Sequence, residues 1–182
     1  MNIAPSPDDV LDVFLQPGEY FFGGARTRIR TLLGSCVSIT LWHPRRHVGG
    51  MCHYLLPCRN RGKADAPDGR YAEEVLEVLV GEMRALGTRP EEYEAKLFGG
   101  GKMFAGLAQD EILNVSRRNV CAGLELAAKH GLRIHAEDLG GDGHRNIVFD
   151  VWSGDVWVRQ NRRTGAEPRR MERAGRERRQ QQ

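Results

Sequence analysis

The chain has 182 residues, of which 40% are hydrophobic and 28% charged, and it carries a formal charge of +3. That length suits one domain with its own core, and no stretch approaches the roughly 18 apolar residues of a membrane-spanning helix. The opening MNIAPSPDDV is acidic and broken by prolines, which argues against a signal peptide and leads us to expect a cytoplasmic protein.

In chain order, residues 1–18 read as an N-terminal leader ending in Gln16-Pro17-Gly18. Residues 19–158 read as a single folded domain. Within it, 19–22 and 37–42 are extended, the second rich in β-formers: Val37, Ile39, Leu41 and Trp42. His43-Pro44-Arg45-Arg46 marks a turn, and HVGGMCHYLLP is a further extended run. After the polar loop CRNRGKADAPDGR, the spacing of Val75, Leu76, Leu79, Met83 and Leu86 predicts a helix over about 71–86, closed by Gly87. A short strand then leads into Gly99-Gly100-Gly101, and a second helix is expected over roughly 116–130. LRIHAEDLGG is extended, and NIVFDVWSGDVWVRQ alternates as a hairpin around Ser153-Gly154-Asp155. The expected fold is α+β: a β-rich, largely antiparallel or mixed core with two main helices packed outside.

Charge is unevenly distributed. From position 159 onward nine Arg stand against three Glu, so residues 1–158 are mildly acidic and the basicity lies in an Arg-rich tail, 159–182. With almost no apolar residue to repay ordering, that tail is expected to be disordered. It reads either as a solvated extension or as a contact for nucleic acid or another acidic surface.

Four cysteines lie at 36, 52, 58 and 121. Neither disulfides nor zinc suit them, because a cytoplasmic chain of this size needs no staples and no C-x2-C pair occurs. Cys52 and Cys121 read as structural. Cys36, between Gly34-Ser35 and an apolar strand, is either a small core residue or a nucleophile. A nucleophilic reading needs a base, because a histidine can take the thiol proton and hold an ion pair. A turn centred between residues 44 and 45 would set His53 opposite Cys36. His43 and His47 read as surface residues of that turn. Glycines at 34, 49–50, 99–101 and 140–141 are consistent with several strand ends meeting around one cleft, or with ordinary turns. The Gly99-Gly100-Gly101-Lys102 run lacks the spacing of a phosphate-binding loop.

LLGSCVSITLW, GGMCHYLLP, KLFGGGKMF, NVSRRNV and AEDLGG with the closing hairpin resemble, in collinear order over about 19–158, the chemoreceptor glutamine deamidase (CheD) family. The resemblance implies a cytoplasmic cysteine hydrolase of bacterial chemotaxis, a protein-glutamine glutaminase with a fold like that of deamidating bacterial toxins. Such enzymes convert glutamines on methyl-accepting receptors to glutamate and can hydrolyse glutamyl methyl esters. By position, the nucleophile falls on Cys36 and the catalytic histidine on His53. The third member is an upstream threonine; the family spacing falls on Arg30, and Thr31 is the adjacent hydroxyl. Gly34 and Ser35 would supply oxyanion-hole amides, while Gly49 and Gly50 would let a bulky receptor helix approach. No metal or cofactor is expected, and a monomer is the default. Two other readings stand beside this one: a non-catalytic module docking on a partner such as a CheC-type phosphatase, and nucleic-acid binding through the tail.

Overall fold

The computed structural model describes residues 6–59, 66–102, 109–161 and 172–174. In chain order these form β1 (Leu11–Leu15), β2 (Tyr20–Gly23), β3 (Thr27–Leu33), β4 (Val37–His43), β5 (Val48–Cys52) and α1 (Ala72–Ala85). They continue with β6 (Glu94–Gly99), α2 (Gln109–Lys129), β7 (Arg133–Leu139), β8 (His144–Asp150), β9 (Asp155–Asn161) and β10 (Glu172–Ala174). Two five-stranded sheets result, ordered β1-β3-β8-β9-β10 and β2-β5-β4-β6-β7. Both are mixed: β1 runs parallel to β3 and β6 parallel to β7, and the remaining pairs are antiparallel. The expected α+β class, with a β-rich core and two helices, is what the chain adopts.

Two apolar clusters explain why the strands read so differently in sequence. One combines Val37, Ile39 and Leu41 of β4 with Val75, Leu76, Leu79 and Met83 of α1. The other combines Ile29 and Leu33 of β3 and Ile147 and Phe149 of β8 with Trp42, Met51 and Phe98 from the second sheet. The second sheet is therefore covered on both faces, by helices on one side and by the first sheet on the other. Accordingly β4 is buried at all seven positions, and its sequence is a near-continuous apolar run. In the first sheet β3 alternates instead: Thr27, Ile29, Thr31 and Leu33 point inward while Arg30 and Leu32 are exposed.

Several boundaries differ from the expected ones. Leu11–Leu15, expected as leader, is a strand paired with β3 from Leu11↔Thr27 to Leu15↔Thr31. Thr27–Leu33 is a strand as well, and α2 begins at Gln109, well before residue 116. The boundary expected at 158 falls inside β9, and Glu172–Ala174 pairs with Val156–Val158. The rest of the Arg-rich tail lies outside the described residues. His43 is buried rather than superficial: its ring packs edge-on against Tyr93, 5.1 Å between centroids, and its Nδ1 accepts from the Arg45 and Arg46 amides. The turn is thereby a closed four-residue loop, with the His47 amide donating to the His43 carbonyl at 2.9 Å.

Glycine is demanded at the tip of the β8–β9 hairpin. Gly154 has φ +73°, and a Cβ there would collide with the Trp42 ring. That ring is held from below by Trp42 Nε1 donating to the Val151 carbonyl at 2.8 Å. Gly154→Ala combines left-handed backbone strain with this collision, and we expect it to destabilise by about 1–3 kcal/mol. A urea unfolding midpoint equal to that of the parent protein would refute the packing described.

Candidate active site

The inward alternation of β3 places Thr31 in the space between the sheets, 1% exposed. Arg30, at the position given by the family spacing, points outward and pairs with Asp12 at 2.6 Å. From the facing sheet, Met51 points into the inter-sheet cluster and Cys52 into the helix-side cluster, so His53 follows Met51 inward. The two inward side chains meet: Thr31 Oγ1 lies 2.8 Å from His53 Nδ1. His53 is 2% exposed and its backbone is fixed on both sides. Its amide donates to the Glu19 carbonyl at 2.9 Å, and its carbonyl accepts from Gly18 at 2.7 Å.

A third group settles which nitrogen carries the proton. Thr31 Oγ1 donates to the Leu15 carbonyl at 2.8 Å. A hydroxyl has one proton and a carbonyl can only accept, so Thr31 must accept from His53. Nδ1 is therefore the protonated nitrogen and Nε2 holds the free lone pair. Among the described residues Nε2 is buried and has no hydrogen-bond partner. Leu15 belongs to β1, the segment expected as leader. Sequence reasoning missed it because a backbone carbonyl leaves no residue-type signal.

Cys36 sits in the Gly34-Ser35-Cys36 turn between β3 and β4, half-buried and packed against the inter-sheet cluster. The pairing that was expected to oppose it to His53 is displaced by two residues. Thr40↔Met51 and the isolated bridge Val37↔Tyr54 share one register, and that register sets His53 opposite Ser38. The cause is the length of the 44–47 loop. Because the slip is two residues, parity is kept: Cys36 and Ser38 share a strand face, so Cys36 is a diagonal neighbour of His53 on the inter-sheet side.

Burial disfavours the charged form of both Cys36 and His53. Burial pushes the Cys36 thiol up, outweighing hydrogen bonds from Ser35 and from its own amide that favour the thiolate. Burial also drives His53 down to about 4, against smaller opposing effects of the Leu15 carbonyl and Glu19. The ion pair foreseen from sequence is thus absent: desolvation disfavours each charged form, and the thiol does not bond to Nε2 in this conformation.

The remaining glycines divide into two groups. Gly34 and Ser35 form the turn that carries Cys36, and the 99–101 loop holds it: Gly101 donates to the Gly34 carbonyl and Gly100 to that of Cys36, each at 2.9 Å. Among the described residues the Ser35 and Cys36 amides donate to no carbonyl, the disposition an oxyanion hole needs. Gly99 (φ +120°) could carry no Cβ, which would strike the Cys36 carbonyl. The amides of Gly100, Gly101 and Lys102 are all spent on protein carbonyls, which leaves none of them for a phosphate. Gly49 and Gly50, expected to admit substrate, are instead buried in β5. The space at Gly49 is filled by the Leu41 carbonyl and Phe149, and that at Gly50 by Phe22, Leu79 and the Phe21 carbonyl.

Comparison with known proteins places the chain in a family. The family model described as CheD chemotactic sensory transduction matches residues 55–160, opening two residues after His53. The "Probable chemoreceptor glutamine deamidase CheD" of Pseudomonas savastanoi pv. phaseolicola is 54% identical over 155 residues, 85% of this chain and 87% of that protein. A similarly named protein of Dechloromonas aromatica is 49% identical, covering 86% of this chain and 91% of its own length. One from Leptospira interrogans is 38% identical, covering 87% and 98%.

The depressed histidine makes a signed statement about acid. In the unfolded chain His53 protonates near its ordinary 6.5, whereas in the fold it stays neutral down to about 4. Its contribution to stability is therefore complete above 6.5 and is lost as pH falls from there toward 4. Proton NMR should show the His53 ring titrating near 4; a His53 midpoint at its ordinary 6.5 would contradict the burial described.

Proposed function

The chain belongs to the chemoreceptor glutamine deamidase CheD family, and on that premise we propose that it hydrolyses selected chemoreceptor glutamine side chains to glutamate with Cys36 as nucleophile. The observation that carries the reading is the Thr31 Oγ1–His53 Nδ1 bond of 2.8 Å, which leaves a lone pair at Nε2 on the strand face shared with Cys36.

The sequence of events follows from the neutral resting pair. Rotation of the Cys36 side chain brings Sγ–H to Nε2, as catalytic hydrogen bonds often tighten only with substrate bound. As Nε2 takes the proton, Sγ attacks the carboxamide carbon and the C=O electrons move onto oxygen. The amides of the Gly34–Cys36 turn receive that oxyanion; one such donor is typically worth about 100- to 1000-fold in rate. The tetrahedral adduct then collapses, the C–N bond breaks, and the proton on Nε2 passes to departing ammonia. A thioester remains. Water gives a proton to Nε2 and adds to the thioester, the C–S bond breaks, and the sulfur recovers the proton as the thiol. The product is glutamate. The same geometry serves a glutamyl methyl ester, with methanol in place of ammonia.

Thr31 acts by keeping the imidazolium and the neutral ring in one orientation, with Leu15 fixing its hydroxyl. Because His53 stays unprotonated well below neutrality, base availability should not limit the rate near pH 6.5. The acid limb of kcat/KM is expected near 4, subject to the stability of the fold there.

Incubation of the protein with a receptor cytoplasmic fragment, followed by mass spectrometry of its glutamine peptides, tests the proposal. Cys36→Ala should abolish conversion, since the acyl acceptor is indispensable. Thr31→Val should lower kcat by roughly 10- to 100-fold with little change in KM, and Thr31→Ser should restore most of it. Full activity in Cys36→Ala would overturn Cys36 as the nucleophile, whereas a parent protein that converts no glutamine would leave a docking role.

A further inference from the structure

Among the described residues Arg145 is the largest side chain that is buried completely, at 1% exposure. It lies on β8 directly opposite Leu33, the last residue before the Gly34–Cys36 turn, and like Ile147 and Phe149 it points between the sheets. Its Nε and Nη2 both reach Asp138 Oδ1 of β7, at 3.0 and 2.9 Å, and Nη2 also donates to the Gly140 carbonyl. Nη1 is buried and, among the described residues, has no partner.

Backbone hydrogen bonds run from this guanidinium to the nucleophile. Gly140 donates to the Gly99 carbonyl at 2.9 Å, while Gly100 and Gly101 donate to the carbonyls of Cys36 and Gly34. Lys102 donates to Gly141, and Gly143 returns a bond to Lys102. Three glycine-rich turns are thereby stitched together, and Arg145 is the charged side chain inside the stitch. Its spare nitrogen and the Gly34 carbonyl both lie 3.2 Å from the point where a Gly101 Cβ would stand. Stability alone explains the residue poorly, because a buried guanidinium with one arm unsatisfied is generally worse than a packed apolar side chain.

We infer that Arg145 is a positioning residue for acyl transfer: it anchors the 99–101 and 140–143 loops that hold the Gly34–Cys36 turn in the shape that receives the oxyanion. The inference rests on the proposed deamidation. It acts through the turn and not by touching substrate, so it should affect steps that build an oxyanion and spare those that do not. Alkylation of Cys36 by iodoacetamide is a displacement at carbon with no oxyanion, whereas deamidation passes through one.

Full-length Arg145→Met and Arg145→Lys proteins should be assayed for both reactions, together with Asp138→Asn. Asp138 is 39% exposed at its side chain, so its substitution is compatible with folding even if Arg145 variants are not. The expected signature is a fall in kcat of about tenfold or more, with KM and the Cys36 alkylation rate within about twofold of the parent. Asp138→Asn should show the same signature more weakly, and it decides the matter if Arg145 variants do not fold. Equal losses in both reactions would mean that Arg145 only supports the fold, and unchanged kcat would mean that it does not hold the turn; either result overturns the inference. A parent protein that alkylates but never deamidates would instead refute the proposed function.

Discussion

The hydrogen bond between Thr31 and His53 joins the two sheets at the centre of the candidate site. Its acceptor comes from β3 of one sheet, its donor directly follows β5 of the other, and the Leu15 carbonyl that completes it comes from β1. The imidazole is thus oriented only when the sandwich has closed. In energetic terms the two hydrogen bonds contribute about 1 kcal/mol each. Against them stands a buried Nε2 without a partner. The arrangement gives up some stability to keep one lone pair free.

Low dielectric is the second constraint. A solvated thiol and imidazole would share a proton readily, whereas between the sheets both neutral forms are favoured. In the proposed reaction charge would be generated only when substrate arrives, and the amides of the Gly34–Cys36 turn would meet it. On that proposal the shape of the turn would matter as much as the identity of the sulfur. The shape is set by backbone, through glycines whose missing Cβ atoms let three loops lie against one another.

Much of this was legible in the sequence, for identifiable reasons. The apolar stripe of α1 and the continuous β4 run follow from one-sided and two-sided burial, and both are local signals. Cys36 and His53 stood out because a thiol and an imidazole are chemically unusual in such strands. Thr31 was legible as a residue type but not as a geometry: a single-step shift from Arg30 reverses the face, and only the alternation of β3 shows which of the two points inward. The parallel pairing of β1 with β3 was out of reach, because it joins segments through contacts that leave no periodic mark of their own. The β4–β5 register was misplaced by the buried His43, which ties the turn from within. Gly49 and Gly50 were read as openings, although the space they leave is taken by neighbouring side chains and carbonyls.

The short amino-terminal strand gives this enzyme an unusual kind of vulnerability. The side chain of Leu15 packs in the inter-sheet cluster, but what it gives the Thr31–His53 pair is its peptide oxygen. Side-chain replacement there leaves that oxygen in place, whereas trimming the terminus, or pulling it aside with a bulky fusion, removes it. The orientation of the imidazole thus leans on a backbone atom of an edge strand, which a change of side chain does not delete and a displaced strand does.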